Sequence, residues 1–216
     1  YKKKFKINAQ CIYNPLNRQF IKKNSKEKIN NNFFKNFNYL KIIFIGRLVD
    51  QKDPMTLMKS LRKIKNKIKF KCLILGQGIY LNSIKNFIEE NKMSKEIKLI
   101  NWQNNPYKYI NSSDLLILTS KYEGLPNVLL EAISLKKFII STDCKTGPKE
   151  ILDNGKGGML FKIGNYNDLS KKIIEYSKNK KKYNKKIKLA YKRLERFNLN
   201  KNLNMYFNTV LEKMNN

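Results

Sequence analysis

Histidine is absent from all 216 residues, and the three cysteines, Cys11, Cys72 and Cys144, stand far apart. A His-based triad is excluded within this chain. With no C-x-x-C pair, a structural zinc site is excluded too. Isolated thiols fit a reducing compartment better than a disulfide framework. Acidic residues are few: 16, against 46 Lys plus Arg, for a formal net charge of +30. Arginine is also scarce, at five of those 46. The excess invites a nucleic-acid reading. However, a surface built to read phosphates favours the two-pronged guanidinium. Lys, Asn and Ile are all abundant here and share A/T-rich codons, which is a sufficient cause, so no nucleic-acid partner is expected. Much of the excess falls in residues 1–40 and 162–216. Such flanks either touch anionic lipid or are simply solvated. There is no apolar run of about 18 residues and no signal-peptide pattern, so no membrane span is expected.

Six short apolar runs are present, at 42–45, 71–75, 97–100, 115–118, 138–141 and 159–161. They alternate with stretches of helical character near 54–66, 79–92, 106–111, 127–135, 147–152 and 167–179. Such alternation predicts an α/β fold, a Rossmann-like parallel sheet with helices on both faces. Ligands of such sheets bind beyond the carboxyl ends of the strands. The length suits one well-buried domain and is short for two of this kind.

The most informative stretch follows the fourth run: Ser120-Lys-Tyr-Glu-Gly-Leu-Pro-Asn-Val-Leu-Leu-Glu-Ala132. Pro126 suits a first helical turn and not a helix interior, so a helix is predicted from Pro126 or Asn127 to about Leu135. Glu123 then lies in the loop and Glu131 about one turn inside the helix. Between them, the backbone of residues 124–128 offers unpaired N–H groups at the positive end of a helix dipole. An anion site flanked by two carboxylates suits a nucleotide sugar. Its diphosphate meets the N–H groups, and its ribose and sugar hydroxyls donate to the carboxylates. A bare phosphate would be repelled.

Glu123-x7-Glu131 resembles the paired-glutamate motif of retaining glycosyltransferases of family 4, whose fold is the two-domain GT-B. Four further segments resemble motifs of that family in the same order. Phe44-Ile-Gly-Arg-Leu-Val-Asp-Gln-Lys-Asp53 resembles its Gly-Arg…Lys loop, and Leu73-Ile-Leu-Gly-Gln-Gly78 its Gly-x-Gly turn. Trp102-Gln-Asn-Asn-Pro-Tyr107 resembles its base-side loop. Ser141-Thr-Asp-Cys-Lys-Thr-Gly-Pro-Lys-Glu-Ile151 is similar to a segment of bacterial surface-polysaccharide members, with Lys145 where relatives often carry Pro. The resemblance covers roughly residues 40–210.

The resemblance implies the donor-binding, carboxy-terminal half of such an enzyme. It would transfer a hexose or N-acetylhexosamine from a nucleotide-diphosphate sugar to a glycan or lipid-linked acceptor, in cell-surface polysaccharide synthesis. Arg47 and Lys52 would hold the donor diphosphate, Glu123 the sugar hydroxyls and Glu131 the ribose; Arg47, Lys52 and Glu123 form the implied catalytic set. Gly46, Gly124, Leu125, Pro126, Asn127 and Val128 would shape the N–H cradle, and Trp102 and Gln103 the base side. No cofactor and no metal are implied, and there is no Asp-x-Asp. Less specific explanations also exist. Arg47 and Lys52 would equally make an ordinary surface pair, and Glu131 would suit a helix dipole alone. Gly76-Gln-Gly78 without a third glycine reads better as a tight turn at the cleft rim. Thr142-Asp143 and Gly147-Pro148 are expected to form a structured loop near the site.

Residues 1–40 are expected to be an interdomain linker and remnant of an amino-terminal acceptor domain absent from this chain. Within them, Gln10-Cys-Ile-Tyr-Asn-Pro15 reads as a strand and turn. Residues 41–196 form the nucleotide-sugar-binding domain and 197–216 a carboxy-terminal crossover helix. Its stripe Leu203, Tyr206, Phe207, Val210 and Leu211 either seeks a partner or packs on this domain. The lysine-rich stretch 178–192 reads as a solvated amphipathic helix, with membrane-surface contact as the alternative. The expected location is the cytoplasm, at the inner membrane face if the flanks bind lipid. Two other functions stay open: a nucleotide-sugar-binding module without catalysis, and a basic nucleic-acid-binding protein.

Overall fold

The structure, a computed structural model, describes residues 10–29, 32–35 and 37–214. The basic opening, residues 1–6, lies outside them. Six strands are present: β1 (Leu40–Ile45), β2 (Phe70–Leu75), β3 (Ile97–Ile100), β4 (Leu115–Leu118), β5 (Phe138–Thr142) and β6 (Met159–Phe161). They form one sheet in the order β3-β2-β1-β4-β5-β6, with every pairing parallel. All six coincide with the apolar runs, as a sheet buried on both faces requires.

Alternation along β1 shows how both faces are used. Ile42 and Phe44 point into one core, with α2 (Pro54–Ile64), α3 (Leu81–Glu90) and α7 (Tyr166–Lys178). Ile43 points into the other, with α4 (Tyr107–Ser112), α5 (Asn127–Ser134) and the short α6 (Pro148–Ile151). On the first face, Phe138 stacks on Tyr176 with ring centroids 4.5 Å apart.

The chain's early segment joins the second core. α1 (Arg18–Asn24), too polar to be read from sequence, buries only Ile21. Leu16 and Phe34 join it there. The reading of residues 10–15 as a strand and turn is corrected: they carry no strand. A single parallel bridge, Leu16 to Asn198, ties this segment to the chain's return. What anchors it is side-chain packing, with Tyr13 4.8 Å from Phe197, and not a ladder. The lysine-rich stretch is a 3-10 turn, Lys180–Tyr183, followed by α8 (Asn184–Arg193). Its apolar face packs inward, with Tyr183 and Leu194 buried.

The last helix, α9 (Leu199–Met214), behaves differently. Leu203, Tyr206, Phe207, Val210 and Leu211 are all exposed, Phe207 at 70%. The stripe therefore does not pack on this domain. No helix among the described residues is long and apolar enough to cross a membrane.

The strand order reverses between β1 and β4, which opens a crevice at their carboxyl ends. Gly76 and Gly78 let the loops there approach closely. A Cβ on Gly76, at φ +157°, would lie 1.9 Å from the Gly46 carbonyl oxygen. Gly76→Ala is expected to destabilise the fold by roughly 2–3 kcal/mol or more, since backbone and not a yielding side chain is in the way. Urea denaturation checks this; an unchanged midpoint would contradict it.

Candidate functional site

Four loops converge on this crevice. After β1, Arg47 is exposed and its Nη2 donates to Gln51 Oε1 at 3.1 Å. Gln51 is clamped in turn to the loop after β4. Its Nε2 donates to the Tyr122 carbonyl at 3.1 Å, and its own carbonyl accepts the Lys121 N–H at 2.8 Å. Lys52 ends a 3-10 turn, Asp50–Lys52. Asp53, at φ +43°, then caps α2 by accepting the Thr56 N–H.

Lys52 and Glu123 form an ion pair, Nζ to Oε1, of 2.5 Å, with side chains only 16% and 7% exposed. Glu123 is further fixed by Ser120, whose Oγ donates to the same Oε1 at 2.6 Å. The Thr146 hydroxyl donates to the Glu123 carbonyl. Gly147 lies at φ +60°, where an added Cβ would sit 2.0 Å from the Gly124 carbonyl oxygen. The loop after β5 is thus packed against the glutamate loop, as the Gly147-Pro148 segment suggested.

Gly124 itself faces open space, with no protein atom within 4 Å of an added Cβ. α5 then starts at Asn127, after Pro126, which is extended at φ −72° and ψ 103°, and no side chain caps it. The N–H groups of Asn127 and Val128 therefore remain available to a ligand, while that of Leu129 donates to the Pro126 carbonyl at 3.0 Å. Glu131, on the next turn, is half-buried, and no residue among those described bonds or ion-pairs with its carboxylate. Burial pushes its carboxyl up to about 7. Tyr107 lies close enough that Glu131's charge, after burial, helps raise its hydroxyl pKa.

The loop after β3 forms the last wall. Trp102 is 61% exposed. Gln103 folds onto its own loop, its Nε2 donating to the Trp102 carbonyl at 3.1 Å and its Oε1 accepting from Tyr109 at 3.1 Å.

Together these loops enclose a cavity of about 490 Å³. Nine of the residues expected from sequence line it: Gly46, Arg47, Lys52, Trp102, Gln103, Pro126, Asn127, Val128 and Glu131. Glu123, Gly124 and Leu125 do not. Glu123 stands behind Lys52, and Leu125 packs against the second core. Ile45, Leu75, Asn104, Pro106 and Tyr107 also line the cavity. All five fell within quoted motifs without being singled out, and Ile45 and Leu75 are there because they end their strands. The walls offer two cations, a helix start, an ionisable carboxylate and apolar surface. That set takes an anion at one end and hydroxyl donors with a flat apolar group at the other.

Glu131 has a testable consequence. Its folded pKa lies above the ordinary value of 4.5, so the folded state binds the proton more tightly. Its contribution therefore makes stability fall as pH rises from 4.5 to about 7. Glu131→Gln is expected to stabilise the ligand-free protein above pH 7, by at most on the order of 3 kcal/mol, and to do nothing near pH 4. Denaturation of both proteins across this range checks it; a pH-independent difference would contradict it.

The profile of the family described as "Glycosyl transferases group 1" matches residues 25–193. The chain is 39% identical over 127 residues to an uncharacterised glycosyltransferase of Methanocaldococcus jannaschii, covering 58% of this chain and 31% of that protein. It is 28% identical over 158 residues to the Campylobacter jejuni N-acetylgalactosamine-N,N'-diacetylbacillosaminyl-diphospho-undecaprenol 4-alpha-N-acetylgalactosaminyltransferase, covering 72% and 43%. It spans less than half the length of either relative. The crystal structure of Anabaena HepE in complex with UDP and glucose superposes with a TM-score of 0.80 at 17% identity, over 93% of this chain and 56% of that one. At that identity the likeness speaks for the fold, and the six-stranded parallel sheet is the carboxy-terminal half of a GT-B fold. On the match over residues 25–193, this chain belongs to the group 1 glycosyl transferases.

Proposed function

We propose that this chain binds the donor in a retaining glycosyl transfer. A hexose or N-acetylhexosamine would pass from a nucleotide-diphosphate sugar to a glycan or lipid-linked acceptor during cell-surface polysaccharide synthesis. One observation carries this reading: Arg47, Lys52 and the uncapped start of α5 share a cavity with the unpartnered carboxylate of Glu131. A diphosphate answers the first three and a ribose diol the last. The Anabaena structure holds UDP and glucose, and the Campylobacter relative is named for a diphospho-undecaprenol-linked substrate; both support the donor and acceptor classes proposed here.

The roles divide by position. Arg47 and Lys52 meet the charge that builds on the leaving diphosphate, with charge-assisted bonds of roughly 1.5–3 kcal/mol each. In this reading they do so without a divalent cation. Glu131 accepts from the ribose, and Glu123 from the donor sugar. The apolar ends of β1 and β2, with Pro106 and Trp102, hold the base. Transfer also takes an acceptor held across the cleft, and the matched segments span 31% and 43% of the length of these two relatives.

Calorimetry with UDP and UDP-glucose in the presence of EDTA tests the assignment. Both ligands are expected to bind, and Glu131→Ala should weaken both alike. Glu123→Ala should matter mainly for the sugar-bearing ligand. Arg47→Lys should lose about tenfold, ~1.4 kcal/mol, because a point charge does not reproduce a two-pronged contact. If nothing binds at millimolar concentration, or both glutamate variants lose both ligands equally, the assigned roles are wrong.

A further inference from the structure

Ser120 is fully buried directly after β4 and does not reach the cavity wall. Both ends of it are nonetheless engaged. Its hydroxyl donates to Glu123 Oε1 at 2.6 Å. Its carbonyl accepts from Thr142 Oγ1 at 2.7 Å and from the Cys144 thiol at 3.1 Å. Thr142 ends β5 and Cys144 follows it, so the neighbouring strand braces Ser120 from behind.

The same Oε1 receives Lys52 Nζ from the cavity side. One carboxylate oxygen thus takes two donors from two different loops, while Oε2 has no partner among the described residues. The two donors differ in permanence. Lys52 lines the cavity and is one of two cations there, so a bound diphosphate competes with Glu123 for its ammonium. Ser120 is shielded from any ligand. When Lys52 turns to phosphate, the serine contact is the one that remains.

We propose that Ser120 is a positioning residue for recognition of the donor sugar. It holds Glu123 so that Oε2 stays turned toward a sugar hydroxyl after the diphosphate has drawn Lys52 away. Thr142 and Cys144 hold Ser120 in turn. The inference rests on the assignment of Glu123 to the sugar, given above.

The test uses Ser120→Ala and, as the variant closest in volume, Ser120→Cys. Titration with UDP should match wild type within twofold for both. Titration with UDP-glucose or UDP-N-acetylglucosamine should lose about five- to tenfold for Ser120→Ala and less for Ser120→Cys. Damage to the fold would lower both ligand types together, and that result, or unchanged affinity for the sugars, would overturn the proposal. Crystals of ligand-free Lys52→Ala, with and without Ser120→Ala, read the same point. With Lys52 removed, the Glu123 carboxylate should keep its present orientation while Ser120 is there and leave it in the double variant, and finding it unmoved in the double variant would also overturn the proposal. Failure of wild type to bind UDP at all would instead sink the nucleotide-sugar assignment, leaving the orientation of Glu123 still readable from the crystals.

Discussion

The ion pair between Lys52 and Glu123 is the contact on which the site depends. Its partners are 71 residues apart in sequence, one after β1 and one after β4. Both are largely removed from water, which is costly for charges unless their remaining groups are satisfied. Here they are. The Lys52 carbonyl accepts the Thr119 hydroxyl at 2.7 Å, and the Glu123 carboxylate takes Ser120 as well. The pair therefore locks two loops across the point where the strand order reverses. Breaking one partner of such a pair typically destabilises by about 3–5 kcal/mol. Its neutrality also matters for the cavity. With Lys52 shared, the exposed Arg47 and the start of α5 are the freer positive groups until a ligand arrives.

Glu131 is the counterpart of that pair. It is a carboxylate with no partner among the described residues, raised by burial to about 7. A folded protein that keeps an unpaired acid half-buried loses stability by it. Strain of this sort concentrates where a ligand supplies the missing contacts. The two glutamates that frame the motif thus differ in environment: one is saturated on a single oxygen, the other vacant.

Much of the fold was legible because a sheet buried on both faces writes itself as continuous apolar runs. Residues 42–45 and 115–118 are of this kind, and both became strands with residues in two cores. The helix start at Pro126 was legible from proline chemistry alone. What failed to show was less apolar or less local. α1 has one buried residue in a polar setting, and residues 10–15 have apolar side chains that serve packing and no ladder. The site's cavity residues followed from motif order. The pairing of Lys52 with Glu123 did not, since no spacing encodes a contact across 71 residues. Nor did the bracing of Ser120 by Thr142 and Cys144, which exists only because β4 and β5 are neighbours.

The large positive charge needs a separate account, because it offers anions a rival place to bind. The lysines of α8 are exposed or half-exposed, while the cavity presents only Arg47 and Lys52. Diffuse attraction to lysines falls with salt and ignores the nucleotide's shape. A backbone NMR titration of the labelled chain with UDP, in EDTA and at two salt concentrations, separates the two most directly. The account predicts that the amides of Asn127 and Val128, with those flanking Lys52, shift most and saturate at both salt concentrations. Shifts centred on residues 180–192 and abolished by salt, with Asn127 and Val128 unmoved, would contradict it.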